Sequence, residues 1–513
     1  MKKYINLWCE SCQIMRDFFA MPNIKSAFLW GFALYATALF ALIRADIYYM
    51  DDLSSSIVDL SWNHNSRYIG TFLLNDLSTF GKGALDMSPL LQIIAVFFVV
   101  ASSMILIYLI RGKFDLLGVV ASLPLGLSPH FLQNLSYKFE SLFMGVALFL
   151  AVAPFLFQKH KRIFCAVSII SLLCMLMCYQ AANATYIILS LYFAFSAYFL
   201  QNRSFKQSAG FLGICAVNLI IASALYKITI NPIAPLGISD KMIAFDSHFF
   251  AGVWANLAQY LIMIFNDLKS TAYIWLILLN FALFAINIAS NRPKIYAIFG
   301  AIMFLLLGLL ASYGLYLVLE MPLFHPRAFY GFNALVAVIG IANVSMIANF
   351  SVNLNQKSQD SQDLRKVCRI LHCFSIIIAV ITAYFLISFA NIYGNALKKQ
   401  DEYLDFRARL LLSDLSDKIP RGASITIDIS HIANAPVTKR FYDKYGNLLL
   451  IPRLAKQDDF WFNMKLRHLN APYNLNNDEI CNFIKENFGV ELVAKNAYHT
   501  IELAKSCYIV TIE

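Results

Sequence analysis

The 513-residue chain is poor in charge, since only 14% of its residues are Asp, Glu, Lys or Arg, against about 25% in an ordinary soluble domain. Hydrophobic residues make up 59% of the sequence, and the mean hydropathy is +0.61. A soluble protein of this composition would expose a large apolar surface to water. The composition therefore excludes a cytosolic enzyme and a disordered chain, and it predicts a protein that crosses a membrane many times.

Three further features are missing from the sequence. The basic stretch at 2–25 is not followed by a small-residue cleavage site, so we interpret it as an uncleaved anchor. The C-x-x-C of Cys9 and Cys12 has no second Cys/His pair nearby, which disfavours a metal site. No internal repeat is visible, which disfavours a transporter built from repeated halves.

Long apolar runs fill the first 394 residues. A span needs about 17 to 25 residues, and eleven runs come close to this length: 27–43, 89–110, 116–135, 142–157, 163–178, 184–200, 209–228, 272–289, 295–319, 328–348 and 371–393. We therefore predict an all-α polytopic membrane domain over 1–394 with about eleven transmembrane helices, followed by a small soluble domain over 395–513.

The charges are distributed unevenly along the chain. Residues 395–513 hold 16 basic and 15 acidic residues, so +9 of the net +10 lies in 1–394. If the N-terminus is cytoplasmic, the basic residues fall in the cytoplasmic loops through all eleven spans, and the opposite loops (44–88, 136–141, 179–183, 229–271 and 320–327) are acidic, neutral or aromatic. This alternation places 395–513 outside the cytoplasm. It also disfavours nucleic acid as a partner, because the positive excess lies in membrane loops.

The C-terminal 119 residues read as an α/β domain. Runs typical of strands at 423–429 and 508–512 flank a run typical of a helix at 478–487. Cys481 and Cys507 could pair there if the domain is extracytoplasmic, which the sequence alone does not decide. In the membrane part, two outer loops are too long for turns, and we expect helices lying in the membrane interface at 68–80 and 249–268.

Two adjacent carboxylates, Asp51 and Asp52, follow the first span on the outer face. Side by side they cannot both ionise cheaply, so the pKa of one should rise toward the range of a general base. Alternatively, the pair could hold a divalent metal or cap a helix that begins near Leu53. The residues alone leave these three roles open.

Two other outer loops carry polar residues beside aromatic ones. The loop between the third and fourth predicted spans contains Tyr137, Lys138 and Glu140. The outer end of the fifth span carries Tyr179 and Gln180. A cation at such a turn could hold a phosphate while the rings stack on a sugar. An ordinary interfacial belt of Tyr, Lys and Phe would have the same composition.

Arginines on the outer side run against the positive-inside bias. Arg327, next to His325, is a candidate for an anionic partner such as a lipid phosphate, or else for an ion pair with Glu320. The same two kinds of partner, a bound anion or an acidic side chain of the protein, are open for Arg67. All of these outer-loop residues share one face of the membrane, which predicts a single site at the outer leaflet for a lipid-borne substrate.

Three strings carry a family resemblance. YMDDLS at 49–54 and DMSPLLQ at 86–92, with Arg67 and the NDL at 75–77 between them, are similar to the type II membrane glucosyltransferases, which are serotype-converting O-antigen glucosyltransferases. PHFLQNLSYKFES at 129–141 resembles an outer turn of that family, and Tyr179-Gln180 resembles its following Tyr-Gln. Lys138 and Glu140 stand where the family commonly has Arg and Asp, which keeps the charges and changes their reach.

The resemblance implies a GT-C type enzyme in a bacterial inner membrane. Such an enzyme would transfer glucose, or a related sugar, from a polyprenyl-phosphate donor to lipid-linked O-antigen or another surface glycan on the periplasmic side, with inversion. Asp51 or Asp52 would be the base and Glu140 would orient the acceptor or Lys138, while Lys138, Arg327 or Arg67 would neutralise the leaving phosphate. This scheme requires no metal or other cofactor. The alternatives are a different sugar or acceptor, and a flippase for a lipid-linked sugar.

Overall fold

The computed structural model describes residues 2–59, 61–230, 241–291, 294–353, 359–429, 434–446, 450–452, 459–475, 489–505 and 507–513. Most of these residues are helical. In chain order the helices are α1 Lys2–Phe19, α2 Ile24–Ala45, α3 Asp51–Ser55, α4 Tyr68–Thr71, α5 Leu90–Arg111, α6 Leu116–Ser122, α7 Pro124–Leu127, α8 Pro129–Ser136, α9 Ser141–Val152, α10 Lys161–Leu176, α11 Asn183–Phe199, α12 Phe205–Leu225, α13 Phe249–Leu268, α14 Ala272–Asn291, α15 Lys294–Ala311, α16 Tyr330–Asn353, α17 Gln359–Ser416, α18 Pro436–Tyr445 and α19 Asp459–His468.

Among the described residues, seven helices are long and apolar enough to cross a membrane, or eight if the bent pair α6–α7 and α8 is one span. The molecule is therefore a helical membrane protein, and each of the eleven predicted runs is at least partly helical. Six of the seven candidate spans coincide with predicted runs; the seventh is α13. The four runs that form α9, α10, α15 and α16 are not among these candidate spans, so the number of eleven spans stays a prediction.

Helix α13 was expected to lie along the membrane surface. Its Asn256 donates hydrogen bonds to the carbonyl oxygens of Leu317 and Leu319, at 3.0 and 2.8 Å. These two residues belong to the loop that follows α15, so α13 lies beside the end of the bundle at which that loop emerges. The length and hydropathy of α13 would also suffice for a span, and its position relative to a membrane stays a prediction.

The break between α7 and α8 positions the turn at 137–140. Pro129 lacks a backbone N–H, and the residue before a proline avoids helical backbone angles. Ser128 is accordingly extended, with φ −57° and ψ 150°, and its hydroxyl accepts a hydrogen bond from the backbone N–H of Phe131. The two helical pieces meet at 67°, and α8 leads into Tyr137 at the end of the bundle where α2 ends and α9 begins.

The longest helix, α17, packs along α2. Gly394 permits the close approach, because a Cβ atom at this position would lie 2.5 Å from the backbone nitrogen of Leu42. Leu386, Phe389 and Tyr393 on this part of α17 are buried in the core of the helical bundle. Further along, Ala408, Leu411 and Leu415 belong to a second hydrophobic core.

That second core is built on a five-stranded sheet of order β2-β1-β5-β4-β3. Its strands are β1 Ser424–Ile429, β2 Asn474–Leu475, β3 Glu491–Lys495, β4 His499–Ala504 and β5 Cys507–Ile512. Strand β1 runs parallel to both β2 and β5, while β3–β4 and β4–β5 are antiparallel. The strands predicted at 423–429 and 508–512 are confirmed, and the predicted helix at 478–487 lies outside the described residues. Cys507 is disulfide-bonded, and Cys481 also lies outside the described residues.

The predicted domain boundary at 394/395 falls inside α17, which runs through it without a break. The change from the first core to the second occurs on this helix between Leu397 and Ala408. Helix α18, although it follows the boundary, packs its Phe441 into the core of the bundle. The boundary stays a prediction, and the helix shared by both cores ties the sheet domain to the bundle.

Candidate active site

A cavity of about 670 Å³ opens at the end of the bundle where α2 ends and α9 and α11 begin. Binding sites for small molecules commonly have volumes of this order. Six of the ten predicted site residues line it: Asp51, Arg67, Glu140, Gln180, His325 and Arg327. The fold therefore brings predicted residues from five separate segments to one cavity. The four other predicted residues lie behind or beside this cavity.

Asp52 is fully buried and does not face the cavity. Its carboxylate accepts hydrogen bonds from the backbone N–H groups of Tyr49 at 3.1 Å, Lys138 at 2.8 Å and Phe139 at 3.2 Å. Burial raises the pKa of Asp52 well above its usual value, and these three hydrogen bonds act against that rise. Asp52 thus joins the start of α3 to the turn at 137–139 and fixes the position of its neighbour Asp51.

Asp51 stands at the cavity wall with its side chain 39% exposed, and its Oδ2 lies 3.3 Å from Nη1 of Arg327. The predicted alternative, an ion pair between Arg327 and Glu320, is wrong, because Glu320 pairs with Lys241 at 2.8 Å. The backbone N–H of Arg327 donates to the side-chain oxygen of Gln133 at 2.7 Å. Arg327 is therefore held at both ends, which fixes a positive charge beside the Asp51 carboxylate.

Tyr137 supports Arg327 from behind the cavity. Its ring is buried, with the guanidinium 5.3 Å from the ring centroid, and its hydroxyl accepts a hydrogen bond from Arg327. Tyr179 has the same relation to Arg67, whose guanidinium lies 4.7 Å from the centre of the ring. The two predicted tyrosines thus position the two arginines of the site.

Glu140 and Arg67 form a second charged group in the wall. The indole Nε1 of Trp62 donates to Glu140 at 2.7 Å, and Nε of Arg67 donates to Gln180 at 3.2 Å. Burial, reinforced by the charge of Asp51, raises the pKa of Glu140 to about 7, although Arg67 and the indole act in the opposite direction. Burial acts to lower the pKa of Arg67, but the Glu140 carboxyl and the neighbouring tyrosines outweigh it and raise the pKa, so the guanidinium stays charged.

Lys138 is directed away from the cavity. Its ammonium pairs with Asp46 at 2.6 Å and Asp86 at 3.2 Å, and it lies 4.2 Å from the centre of the Tyr48 ring. Burial acts to lower the pKa of Lys138, but the two carboxylates outweigh it and raise the pKa. The site that Lys138 was expected to share with Glu140 is therefore split between two sides of the turn. Residues 138–140 form a turn and not an extended strand, and Glu140 has helical backbone angles, so residues two apart do not share a face as they would in a strand.

His325 lines the cavity beside this charged wall. Burial lowers the pKa of His325, and the charge of Asp51 acts in the opposite direction. A lowered pKa makes the imidazole neutral at pH 7, so it can donate or accept a hydrogen bond there. No group of three or more His, Cys, Asp or Glu that could hold a metal ion occurs in the described part of the chain.

The raised pKa of Glu140 predicts how stability depends on pH. An acid whose pKa is higher in the folded than in the unfolded protein binds more protons when folded, so stability falls as pH rises from about 4.5 to about 7. Glu140→Gln keeps the hydrogen bond from Trp62 and removes the charge. We expect this variant to match the wild type near pH 5 and to exceed it at pH 8 by at most roughly 3 kcal/mol.

Thermal unfolding of the purified protein in detergent, followed between about pH 5 and pH 8, measures this difference. Glu402→Gln is the matched control, because Glu402 is exposed, and its pKa is lowered by the hydrogen bond from Lys399. That control should unfold in parallel with the wild type across the range. A Glu140→Gln variant that is less stable than the wild type at pH 8 would contradict the raised pKa.

Twelve of the eighteen residues that line the cavity were not predicted as site residues, and three of the twelve show why. Trp62 lies five residues before Arg67 in a loop rich in Asn and His, and this polar setting could have marked it as a candidate site residue. Tyr316 was assigned to the span at 295–319, but α15 ends at Ala311, and Gly314 with φ 62° turns the chain toward the cavity. The third, Phe460, lies in α19, and only the docking of α19 onto α3 brings it to the cavity.

Comparison with known proteins gives two matches. A family model described as glucosyl transferase GtrII matches residues 40–338, a range that contains every lining residue of the cavity except Phe460. The chain is also similar to a Salmonella phage P22 protein described as an uncharacterized 55.3 kDa protein in the gtrB 5' region, with 26% identity over 263 residues. The aligned part is 49% of this chain and 53% of that protein, so the chain spans about half the length of the curated relative it matches. No solved structure matches the chain.

Proposed function

Because the chain belongs to the glucosyl transferase GtrII family, we propose that it is a GT-C type glycosyltransferase of a bacterial inner membrane. In this proposal it transfers glucose, or a related sugar, from a polyprenyl-phosphate donor to a hydroxyl of lipid-linked O-antigen or another surface glycan. Transfer takes place on the periplasmic side. The apolar tail of the donor lies among the helices, and its phosphate and sugar occupy the cavity.

The proposal rests on one observation. The cavity holds a partly exposed carboxylate that is paired with one cation, and it also holds a second cation. Asp51 is partly exposed and paired with Arg327. Arg67 belongs to the second charged group of the wall, which also contains Glu140. Inverting transfer needs both a base and a phosphate-binding cation in one site, because the acceptor hydroxyl attacks the anomeric carbon from the side opposite to the leaving phosphate. A base and a phosphate-binding cation must therefore lie on opposite sides of the sugar.

Each residue then has one role in the reaction. Asp51 removes the proton of the acceptor hydroxyl as its oxygen forms a bond to the anomeric carbon. The bond between that carbon and the phosphate oxygen breaks, and the phosphate leaves with the electron pair. Arg67 neutralises the charge that develops on it. Arg327 orients Asp51 through their ion pair, and Asp52 holds α3 in place.

We propose that the transfer uses no metal. Both oxygens of Asp52 already accept backbone hydrogen bonds, so Asp51 and Asp52 do not present two carboxylates to one ion, as the rival arrangement would require. A polyprenyl phosphate is also a good leaving group that needs neutralisation more than protonation. An arginine can supply that charge at the cavity wall.

The orientation of the chain is part of the proposal. The cavity lies at the ends of the helices opposite to the basic loops at 159–162 and 203–206, and such loops favour the cytoplasm. The disulfide bond of Cys507 favours an oxidising compartment for the sheet domain. Both features support a periplasmic site and a cytoplasmic N-terminus.

The sheet domain is proposed to contact the acceptor. Its Phe460 is 49% exposed and lines the cavity, and an aromatic ring there can pack on the face of a sugar. Phe460→Ala should raise the KM for the acceptor roughly three- to tenfold with little change for the donor. Steady-state kinetics with each substrate varied in turn measures this. Phe406→Ala, which removes an equally exposed ring outside the cavity, should leave both constants unchanged, and an equal effect of the two variants would contradict an acceptor contact.

The experiment that tests the function is sugar transfer in membrane vesicles that contain the full chain. Radiolabelled polyprenyl-phosphate glucose is supplied together with lipid-linked O-antigen. Label that moves to the glycan supports the proposal. If the donor stays intact, other polyprenyl-linked sugars and acceptors are tested next. Movement of the intact lipid-linked sugar between leaflets without transfer would identify a flippase and overturn the proposal.

A further inference from the structure

A second cavity, of about 980 Å³, lies at the opposite end of the bundle from the candidate active site. The helices α5, α9 and α11 each have one end near each cavity, and α5, with 22 residues, is about 33 Å long. A smaller cavity of about 360 Å³ adjoins it and shares Gln158, Arg203, Gln207 and Phe211 with it. We call the two together the basic cavity.

The basic cavity has buried apolar residues in its inner wall, cations at its rim, and other polar residues such as Asp17, Gln158 and Gln207 in its lining. Leu156 and Phe193 are buried in its inner wall, and Met21 at the end of α1 closes one side. Lys159 and Arg203 stand at the rim, with Lys161 and Lys206 at the smaller opening. Buried apolar residues next to a group of cations are complementary to a molecule with an anionic head and hydrocarbon chains.

The rim cations have no carboxylate partners in the described part of the chain. No described Asp or Glu oxygen lies within 4 Å of the side-chain nitrogens of Lys159, Lys161, Arg203 or Lys206. The cavity does contain Asp17, but this carboxylate accepts from the Gln13 amide at 2.7 Å and pairs with none of the four cations. The rim therefore carries a local excess of positive charge.

The positive-inside bias accounts for cations in these loops, but it does not require an amphipathic cavity behind them. Basic pockets between transmembrane helices on the cytoplasmic side are suited to anionic lipid headgroups. Arginine can contact two phosphate oxygens at once, while a lysine adds a point charge. Arg203 lines both parts of the basic cavity, together with Lys159 in the larger part and with Lys161 and Lys206 in the smaller part.

We propose that the basic cavity binds an anionic phospholipid, with its phosphate between Arg203 and Lys159 and its acyl chains along Phe193 and Phe211. This site is separate from the candidate active site and does not depend on the proposed reaction. Its ligand chemistry is a phosphate monoanion attached to hydrocarbon chains.

The test uses the full chain reconstituted in lipid nanodiscs of phosphatidylcholine with and without phosphatidylglycerol. Native mass spectrometry counts the lipid molecules that remain bound, and a titration gives the Kd. The double variant Lys159→Gln/Arg203→Gln should bind phosphatidylglycerol at least about tenfold more weakly than the wild type, since each cation near an anionic headgroup contributes about fivefold. Phosphatidylcholine should bind weakly to both proteins.

The matched control is Lys25→Gln/Arg162→Gln. It removes two exposed cations from the same end of the bundle, and neither lines the basic cavity. This control should bind as the wild type does. Equal loss in both double variants would reduce the effect to general surface charge and overturn the proposal, as would unchanged binding in the first variant. Displacement of the lipid by inorganic phosphate alone would assign the cavity to a free phosphate compound and would also overturn it.

Discussion

Asp51→Asn is expected to lower sugar transfer by about 10²–10⁴-fold, the contribution of a general base, while the protein keeps its fold and its stability. The side chain of Asp51 faces the cavity and makes one ion pair, with Arg327. Asparagine has the same shape and cannot accept the proton of the acceptor. Transfer in membrane vesicles at matched expression measures the loss, and thermal unfolding reports the stability.

Asp52→Asn is the natural comparison, because it makes the same chemical change one residue away. Here the fully buried carboxylate accepts three backbone hydrogen bonds, through both of its oxygens, and an amide nitrogen cannot accept any of them. We expect a loss of folded protein, at a cost of about 1–3 kcal/mol, and near-normal specific activity in the fraction that folds. If Asp52→Asn folds normally and is inactive while Asp51→Asn retains transfer, the two roles are reversed.

Arg67→Gln is expected to lower kcat/KM for the donor by about 10²–10³-fold, the effect of removing one group that stabilises developing charge in a dry site. Arg67 is held by Gln180 and by the ring of Tyr179, so its charge is already in place when the phosphate leaves. Arg67→Lys keeps the charge, loses the planar geometry and should recover part of the rate. Kinetics with varied donor concentration measures both variants.

Lys241→Gln serves as the control for charge alone. Its side chain is 73% exposed, pairs with Glu320 and does not line the cavity. The control should transfer sugar at the wild-type rate. An Arg67→Gln enzyme with normal kcat/KM would exclude Arg67 as the phosphate-binding cation and leave Arg327, the other arginine that lines the cavity among the described residues.

The end of the bundle that carries the candidate active site could be predicted, because hydropathy and charge vary along the chain as they do in a protein that crosses a membrane. The runs that form α2, α5 and α12 are mostly apolar, and their charged residues are confined to the ends. Residues at such ends share a face whatever the packing between the helices. For this reason Asp51, Glu140 and Arg327, which are far apart in sequence, were correctly assigned to one end.

The sequence could not predict which of two neighbouring residues faces the cavity, because this depends on hydrogen bonds from single backbone N–H groups. Asp51 and Asp52 are identical in type and adjacent in sequence, and only the N–H groups of 137–139 decide which of them is buried. Lys138 and Glu140 flank Phe139 in the same turn, yet Lys138 points toward Asp46 and Asp86. Phe460 depends on a tertiary contact some four hundred residues away from α3 along the chain, which no local pattern records.

Helix α17 also limits how a sheet domain from another chain could be joined to this bundle. It has 58 residues and is therefore about 87 Å long, and each residue added to it would rotate all that follows by about 100°. A sheet domain grafted from another chain would reach α3 only if the junction preserved the helical phase. Chimeras that differ by one residue at the junction would carry their version of Phe460 on different sides of the bundle, whereas insertions of seven residues would restore its direction about 10 Å farther out.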